Sequence, residues 1–193
     1  KLVNIHINGN TAEACDNIRL CRYYMQNEME QMYIPAYAAK EIIKFNPVQY
    51  SMNEGWLYFV NEEDTIICCR TIIDEYVDLE SLIPETGEEI ELPDSLKETL
   101  DRAGVFTDRE SKQDEMVVCT LSSGDLTVEA ESMTGNKIKE SIEIDYNGDE
   151  VQFGAHPTFL ADALYLMNTA QITENVLKLE GENFIHVVCL QAV

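Results

Sequence analysis

The chain has 193 residues, of which 45% are hydrophobic and 25% charged, a composition typical of a globular protein with one large domain or two small ones. No apolar run approaches the ~20 residues that a membrane-spanning helix requires, and the first residues alternate like a strand rather than a signal peptide, so we expect a cytoplasmic protein without a membrane partner. The net charge of −23 argues against nucleic-acid binding unless the 13 basic residues are concentrated on one surface.

The N-terminal part is predicted to consist of strands alone. Residues 2–7 and 11–15 alternate between apolar and polar side chains on either side of Asn8 and Gly9, and an Asn-Gly pair is typical of a tight hairpin turn. Residues 18–24 predict another strand.

Three later stretches, beginning at Met32, Ile90 and Val151, share one order of elements and lie roughly 60 residues apart. Each opens with a short alternating strand, followed by a Pro suited to the first turn of a helix and by apolar residues at helical spacing. The predicted helices cover 38–44, 96–100 and 157–168. Each is followed by two strands around a Gly-containing turn, which cover 48–52 with 56–60, 116–121 with 126–130, and 176–179 with 184–188. Further strands are predicted over 66–72 and 141–144.

This repeat predicts an α+β fold in which the helices lie on one face and the sheets on the other. Two repeats side by side make one domain, so we expect a partial domain over residues 1–82 and a complete domain over 83–193. The polar segment 83–89 is the predicted linker. Since no helix precedes the first strands, the chain is expected to begin inside a repeat, as a truncated or proteolytic fragment would. Comparing its intact mass with the encoding gene would test this expectation.

The sequence offers no recognisable catalytic or metal site. None of the six cysteines forms a C-x-x-C pair, and their apolar neighbours predict reduced and mostly buried thiols. The three histidines lack ligand spacing to any cysteine pair, so neither a metal nor a cofactor is predicted. Motifs of nucleophilic, phosphate-binding and zinc enzymes are missing from the sequence. His186 and Cys189 are three apart in one predicted strand and face opposite sides. We therefore expect no catalytic residue and a protein that is not an enzyme.

Four segments resemble one known family. Residues 14–20 read A-C-D-N-I-R-L, similar to the family's A-T-D-G-x-R-L. Residues 70–84 resemble its S-R-L-I-D-G-x-F-P-D-Y-x-x-V-I-P, residues 156–164 its N-x-x-Y-L-L-D-A-L, and the tail 186–193 its Y-V-V-M-P-M-R-L. With these in register, the chain resembles the bacterial DNA polymerase III beta subunit, the sliding clamp, over most of the middle domain and the C-terminal domain.

The resemblance implies the DNA clamp fold and a role in DNA replication. A sliding clamp is a processivity factor: it forms a homodimeric ring around duplex DNA, without sequence specificity, when full length. It tethers DNA polymerase and the clamp loader through short linear peptides bound in a hydrophobic cleft. An alternative is a clamp-fold phage or plasmid protein that binds clamp partners without encircling DNA.

Mapped motif by motif, the resemblance implies a peptide-binding cleft in this chain. Its lining would be Cys15, Arg19, Leu20, Val77, Leu82, His156, Phe159, Val187, Val188, Cys189, Leu190 and Val193. For Leu20, Leu82, Val187 and Val188, a plain core position is the alternative. The chain departs from the family at Asn17, Ser81, His156 and residues 190–192, so its peptide preference is expected to differ.

The resemblance also implies that Lys and Arg on the helices point toward DNA phosphates. The candidates are Lys40 and Lys44, which share one helix face, together with Lys97 and Arg102. The alternative is a solvated helix surface with i,i+4 charge pairs.

Overall fold

The computed structural model describes residues 4–72, 76–107 and 114–193. The chain divides into two compact units, unit 1 (Lys1–Glu80) and unit 2 (Ser81–Val193). Part of the predicted strand 2–7 and of the motif 70–84 lies outside the described residues. None of the helices described is both long and apolar enough to cross a membrane.

Unit 1 begins with a long antiparallel hairpin formed by β1 (Asn4–Cys15) and β2 (Arg19–Pro35). The prediction of a turn at Asn8 and Gly9 is wrong. Gly9 lies inside β1 at a φ of 58°, and the register against β2 shifts on both sides of it. The extra residues of this β-bulge lie in β2, on both sides of the residue opposite Gly9, and glycine suits its own position because it tolerates positive φ. Both halves of β1 pair with the same strand, so the irregularity at Gly9 does not end β1.

The first helix, α1 (Ala36–Phe45), directly follows Pro35 at the end of β2. It ends where Asn46 takes a left-handed conformation at a φ of 51° and its N–H bonds back to the carbonyls of Ile42 and Ile43. The strands β3 (Gln49–Asn53), β4 (Trp56–Val60) and β5 (Ile66–Arg70) then form an antiparallel sheet. The unit's small core joins the hairpin to β4 through Ile7, Met32, Ile34, Leu57 and Phe59.

Unit 2 contains two more copies of the strand–helix–hairpin order. A short 3-10 helix, Glu80–Leu82, spans the unit boundary. The first copy has β6 (Glu88–Glu91), α2 (Leu96–Gly104), β7 (Val117–Ser122), β8 (Asp125–Glu131) and β9 (Lys137–Glu143). The second has β10 (Val151–Ala155), α3 (Pro157–Leu164), β11 (Thr169–Ile172), β12 (Val176–Glu180) and β13 (Phe184–Cys189). Within the unit, β10, β7, β8 and β9 form one antiparallel sheet, and β13, β12, β11 and β6 pair in that order.

Helices α2 and α3 pack against each other over a core that both sheets share. Leu96 and Leu100 of α2 and Leu160 of α3 are almost fully buried there, each contributing about 1.5–3 kcal/mol by transfer from water. The predicted α+β repeat is confirmed. The third helix is shorter than predicted and ends at Leu164. The Asn168 carbonyl accepts the Leu92 N–H at 2.9 Å and Thr169 begins β11, so the chain must already be extended there.

The prediction that the thiols are mostly buried is wrong. Cys119, in the core of unit 2, is the buried one, and burial raises the pKa of its thiol to about 12. Cys68 and Cys189 are exposed, and the other three are half-buried. Cys68 lies on β5, where burial alternates between exposed and half-exposed residues, so apolar neighbours in sequence did not place it inside.

Candidate functional site

The start of α3 presents an aromatic pair. His156 ends the extended segment after β10 at a φ of −72° and ψ of 120°, and Pro157 occupies the first turn of the helix. The His156 ring is buried and stacks on Phe159 with centroids 3.9 Å apart and planes 13° from parallel. Phe159 is half-buried. One face of its ring is therefore fixed by the His156 stack, and the residue remains partly exposed at the edge of the core.

The C-terminal segment lies beside this pair. Gly154 and Gln191 exchange two backbone hydrogen bonds, both of 2.8 Å, and the Leu190 N–H bonds to the Asn175 carbonyl at 2.7 Å. A Cβ on Gly154 would lie 3.3 Å from the Cβ of Gln191, so glycine permits this close approach. The segment is thereby held next to the last residues of β10, and it ends in Val193, which is 63% exposed.

Some predicted lining residues belong to the core. Val188 is fully buried and packs in the core of unit 2, to which Leu190 also belongs. Val188 therefore offers no surface to a ligand, and its assignment to the cleft is corrected in favour of the alternative. Val187 is also buried. Leu82, for which a core position was the alternative, is 53% exposed.

The predicted lining residues of unit 1 lie at two places. Cys15 and Leu20 are the last cross-strand pair of the β1–β2 hairpin, and Leu20 is buried. Arg19 lies beside them, with Nε 3.2 Å from the Asp16 carboxylate, which also accepts the Arg19 N–H at 2.8 Å. Val77 lies further along the chain and is 44% exposed.

A buried polar cluster on the β1–β2 hairpin escaped the sequence prediction. It consists of His6, Glu13 and Arg22, hereafter the polar cluster, and each of its members is at least nine-tenths buried. Glu13 is directly opposite Arg22 and accepts its Nε–H at 2.6 Å. His6 Nδ1 lies 3.4 Å from the other Glu13 oxygen. In a regular strand, residues seven apart face opposite sides; the positive φ of Gly9 interrupts that alternation in β1, and His6 and Glu13 meet on the same side.

The basic residues of the helices are largely engaged with neighbours. Arg102 of α2 donates to both carboxylate oxygens of Glu140 on β9, at 2.6 to 3.2 Å. This hydrogen-bonded pair lowers the pKa of Glu140 and raises that of Arg102. The Lys97 ammonium lies 2.9 Å from the centroid of the Tyr165 ring, a cation–π contact. On α1, Lys40 and Lys44 are exposed.

Lys44 forms an exposed pair with Glu41 at 2.9 Å. Charge on α2 is balanced, since Glu98 and Asp101 accompany its two basic residues. The described residues contain no group of three His, Cys, Asp or Glu side chains placed to hold a metal ion.

The strand–helix–hairpin copies, with paired helices on one side of two sheets in unit 2, define the DNA clamp fold. Solved clamps share it: the DNA polymerase sliding clamp of Pseudomonas aeruginosa superposes with a TM-score of 0.81 at 15% identity, over 98% of this chain and 58% of that one. The DNA polymerase III subunit beta of Borrelia burgdorferi, solved with a natural product, gives 0.81 at 19% identity, over 100% and 57% of the two chains.

The sequence comparisons place the chain in a family. The family described as DNA polymerase III beta subunit, C-terminal domain, matches residues 77–183, and the chain belongs to it. The beta sliding clamp of Pseudomonas putida is 24% identical over 100 residues. That match covers 51% of this chain and 26% of the relative, so the chain matches about a quarter of the length of this curated relative.

Proposed function

We propose that the chain is the peptide-capturing part of a DNA sliding clamp, a replication processivity factor and not an enzyme. The observation that carries the proposal is the fixed aromatic pair at the start of α3 beside the anchored C-terminal segment. Family membership supports it, because the matched segment includes His156 and Phe159. The partners proposed are short linear peptides of DNA polymerase and the clamp loader.

The site suits an extended peptide with apolar side chains. Phe159 gives an aromatic surface whose position is set by the His156 stack, so little side-chain entropy is lost when a ligand packs on it. Residues 192 and 193 lie beyond the Gly154–Gln191 pair, are exposed and offer backbone groups that can orient a peptide. Val188 and Leu190 support the C-terminal segment from the core of unit 2. Contacts by Cys15, Arg19, Leu20, Val77 and Leu82 remain predictions from the resemblance.

A fluorescence polarisation titration tests peptide capture. The probe is a fluorescein-labelled synthetic peptide carrying the clamp-binding segment of a bacterial replicative polymerase. We expect saturable binding with a Kd in the micromolar range, about −8 kcal/mol. Griselimycin, which the Pseudomonas aeruginosa clamp binds, serves as an unlabelled competitor. Absence of binding at several hundred micromolar protein (roughly −5 kcal/mol or weaker) would count against the proposal.

We further propose that the chain contributes to a homodimeric ring around duplex DNA, with Lys40, Lys44, Lys97 and Arg102 toward the phosphates. The engaged state of Arg102 and the balanced charge of α2 make this contact weak. Phosphate contacts of this kind weaken as salt increases. For the full-length ring, encirclement also predicts retention on circular duplex DNA and release when the circle is linearised.

Charge reversal tests the DNA-facing surface. In the full-length ring, we expect the double substitution Lys40→Glu with Lys97→Glu to weaken the salt-sensitive binding to duplex DNA at ~50 mM salt. The matched control is Lys137→Glu, which reverses an exposed lysine of β9 paired with Glu131 at 2.9 Å and should change binding little. Equal losses in both proteins would contradict the assignment. Peptide binding without any DNA binding would support the alternative, a clamp-fold protein that does not encircle DNA.

A further inference from the structure

The two units anchor the chain in the same way at the point where the last strand of each one ends. In unit 2, Leu190 is the first residue after β13, and its N–H bonds to the Asn175 carbonyl in the β11–β12 turn at 2.7 Å. In unit 1, Thr71 is the first residue after β5, and its N–H bonds to the Gly55 carbonyl in the β3–β4 turn at 3.0 Å. The two hydrogen bonds are therefore equivalent within the repeat.

A second contact of this segment also recurs, with the strand that precedes the helix. Gly154, three residues before the first residue of α3, exchanges backbone hydrogen bonds with Gln191. Tyr33, three residues before the first residue of α1, donates its N–H to the Thr71 hydroxyl at 3.1 Å. Each unit thus holds the chain that follows its last strand beside the end of the strand that leads into its helix. In unit 2, this anchored segment borders the proposed peptide site.

The equivalent place in unit 1 differs from unit 2 in its side chains. Ala38 stands at the third position of α1, where α3 has Phe159, and Pro35 precedes α1, where His156 precedes α3. The aromatic pair therefore has no counterpart in unit 1. A ligand of unit 1 must find its apolar contacts on other residues.

Such contacts are present in a cavity of about 430 Å³ beside the anchored segment of unit 1, whose lining includes Tyr33, Met52, Glu54, Thr71 and Ile72. We call it the turn cavity. Its volume falls within the ~300–1,000 Å³ of ligand pockets in proteins. Met52 and Ile72 are each 40% exposed, so both offer accessible apolar surface, and an unbranched methionine adapts readily to the shape of a ligand.

The turn cavity carries negative charge. Glu54 is an exposed member of its lining, and the described residues that line the cavity include no Lys, Arg or His. Arg70 lies nearby, but its guanidinium is 5.1 Å from the centroid of the Trp56 ring, and its Nη1 lies 3.5 Å from the Glu54 carbonyl. A cationic group next to an apolar one would therefore complement the cavity.

We propose that the turn cavity is a second binding site, for an extended peptide segment in which an apolar side chain is followed by Lys or Arg. The apolar side chain packs on Met52 and Ile72, and the cation lies near Glu54. The choice of a peptide as the ligand rests on the proposed function, because an equivalent anchored segment borders the proposed site of unit 2. The competing explanation is a purely structural joint that leaves an unused gap.

Heteronuclear NMR on the isotope-labelled chain tests this proposal. The probe is a capped synthetic peptide, acetyl-Ser-Leu-Lys-Ser-amide, and a second peptide carries Glu in place of Lys. We expect the Lys peptide to shift the amide signals of Gly55 and Thr71 saturably, with a Kd on the order of 1 mM. The Glu peptide should bind at least about fivefold more weakly. Equal affinity of the two peptides would overturn the proposal, as would unchanged signals at about 5 mM Lys peptide.

Two substitutions test the residues assigned to the turn cavity. Ile72→Lys places a cation in the lining, and binding of the Lys peptide should fall about tenfold or more. Glu54→Gln removes the carboxylate, and affinity should fall about threefold or more. The matched controls are Ile66→Lys and Glu63→Gln, at exposed positions outside the lining, which should leave the Kd within about twofold. Equal effects of the substitutions and their controls would overturn the proposal.

The same spectra distinguish this inference from the proposed function. The amide signals of Gly154 and Gln191 report on the proposed site of unit 2 when the polymerase peptide is added. If that peptide leaves them unchanged while the Lys peptide shifts Gly55 and Thr71, the proposed function fails and the second site is supported. If only the signals of unit 2 respond, to either peptide, the second site is overturned and the proposed function is supported.

Discussion

Replacing Leu160 by alanine is expected to lower the free energy of unfolding of unit 2 by about 2–5 kcal/mol. Leu160 is almost fully buried in the core where α3 meets α2 and the sheets. The substitution removes three carbon atoms from that core and leaves a cavity which close-packed neighbours fill only in part. This is the largest stability effect we expect from a single side chain of α3.

Urea denaturation followed by two probes measures this effect. Far-UV circular dichroism reports both units, whereas the single tryptophan, Trp56, lies in unit 1. We expect the dichroism transition to shift to lower urea in Leu160→Ala. The control is Leu166→Ala, two residues after α3 and 48% exposed, for which a change within about 0.5 kcal/mol is expected. Equal shifts for both substitutions would show that Leu160 does not carry the packing described.

Replacing Phe159 by alanine is expected to weaken binding of the polymerase peptide by about 30-fold or more, corresponding to roughly 2 kcal/mol. Phe159 is the aromatic surface of the proposed site, and partly exposed, well-oriented aromatic side chains supply much of the energy of small interfaces. Its removal also unstacks His156, whose ring lies 3.9 Å away. Polarisation titrations of the unmodified and substituted chains give the ratio of the Kd values directly.

The control for this prediction is Tyr165→Ala. Tyr165 is an exposed aromatic residue just beyond the other end of α3, so its loss removes a similar ring without touching the proposed site. We expect its Kd to stay within about twofold of the unmodified chain. If Phe159→Ala folds and binds the peptide as tightly as Tyr165→Ala does, the start of α3 is not part of the peptide-binding site.

Leu160→Ala and Phe159→Ala affect adjacent residues, but the first is expected to change stability and the second peptide binding. Leu160 faces the core, while Phe159 lies at its edge with its ring on His156. We therefore expect Leu160→Ala to bind the peptide normally under conditions where it is fully folded. In Phe159→Ala, the loss of affinity should exceed the loss of stability.

Local patterns in the sequence were enough to predict most helices and strands. A Pro followed by apolar residues at helical spacing predicts each helix. Period-two alternation on both sides of a glycine predicts each hairpin. These signals act over a few residues, so they can be recognised without knowing the contacts between elements. The order of elements, repeated three times, also predicted the α+β fold and the placement of His156 and Phe159 at the start of a helix, and the motif resemblance implied the clamp fold.

Other features depend on residues that are distant in the chain. The turn predicted at Gly9 is a bulge because β2 continues past it as a partner for both halves of β1. Similarly, Arg102 pairs with Glu140 across 38 positions, which engages a side chain that the resemblance assigned to DNA. Val188 and Cys189 are neighbours in one strand, yet one is in the core and the other exposed.

The local patterns of this chain thus specify its elements and their order, since these follow from backbone preferences and burial periodicity. The family is indicated by the resemblance of its sequence motifs. Strand register and packing decide the remaining features. They determine which side chains form the polar cluster, which candidate lining residues stay accessible and which cations are paired with a neighbour. A shift of one residue in register reverses the face of every later side chain. Within β1, the positive φ of Gly9 interrupts the alternation, so that His6 and Glu13 share one face with Arg22, which the sequence pattern did not indicate.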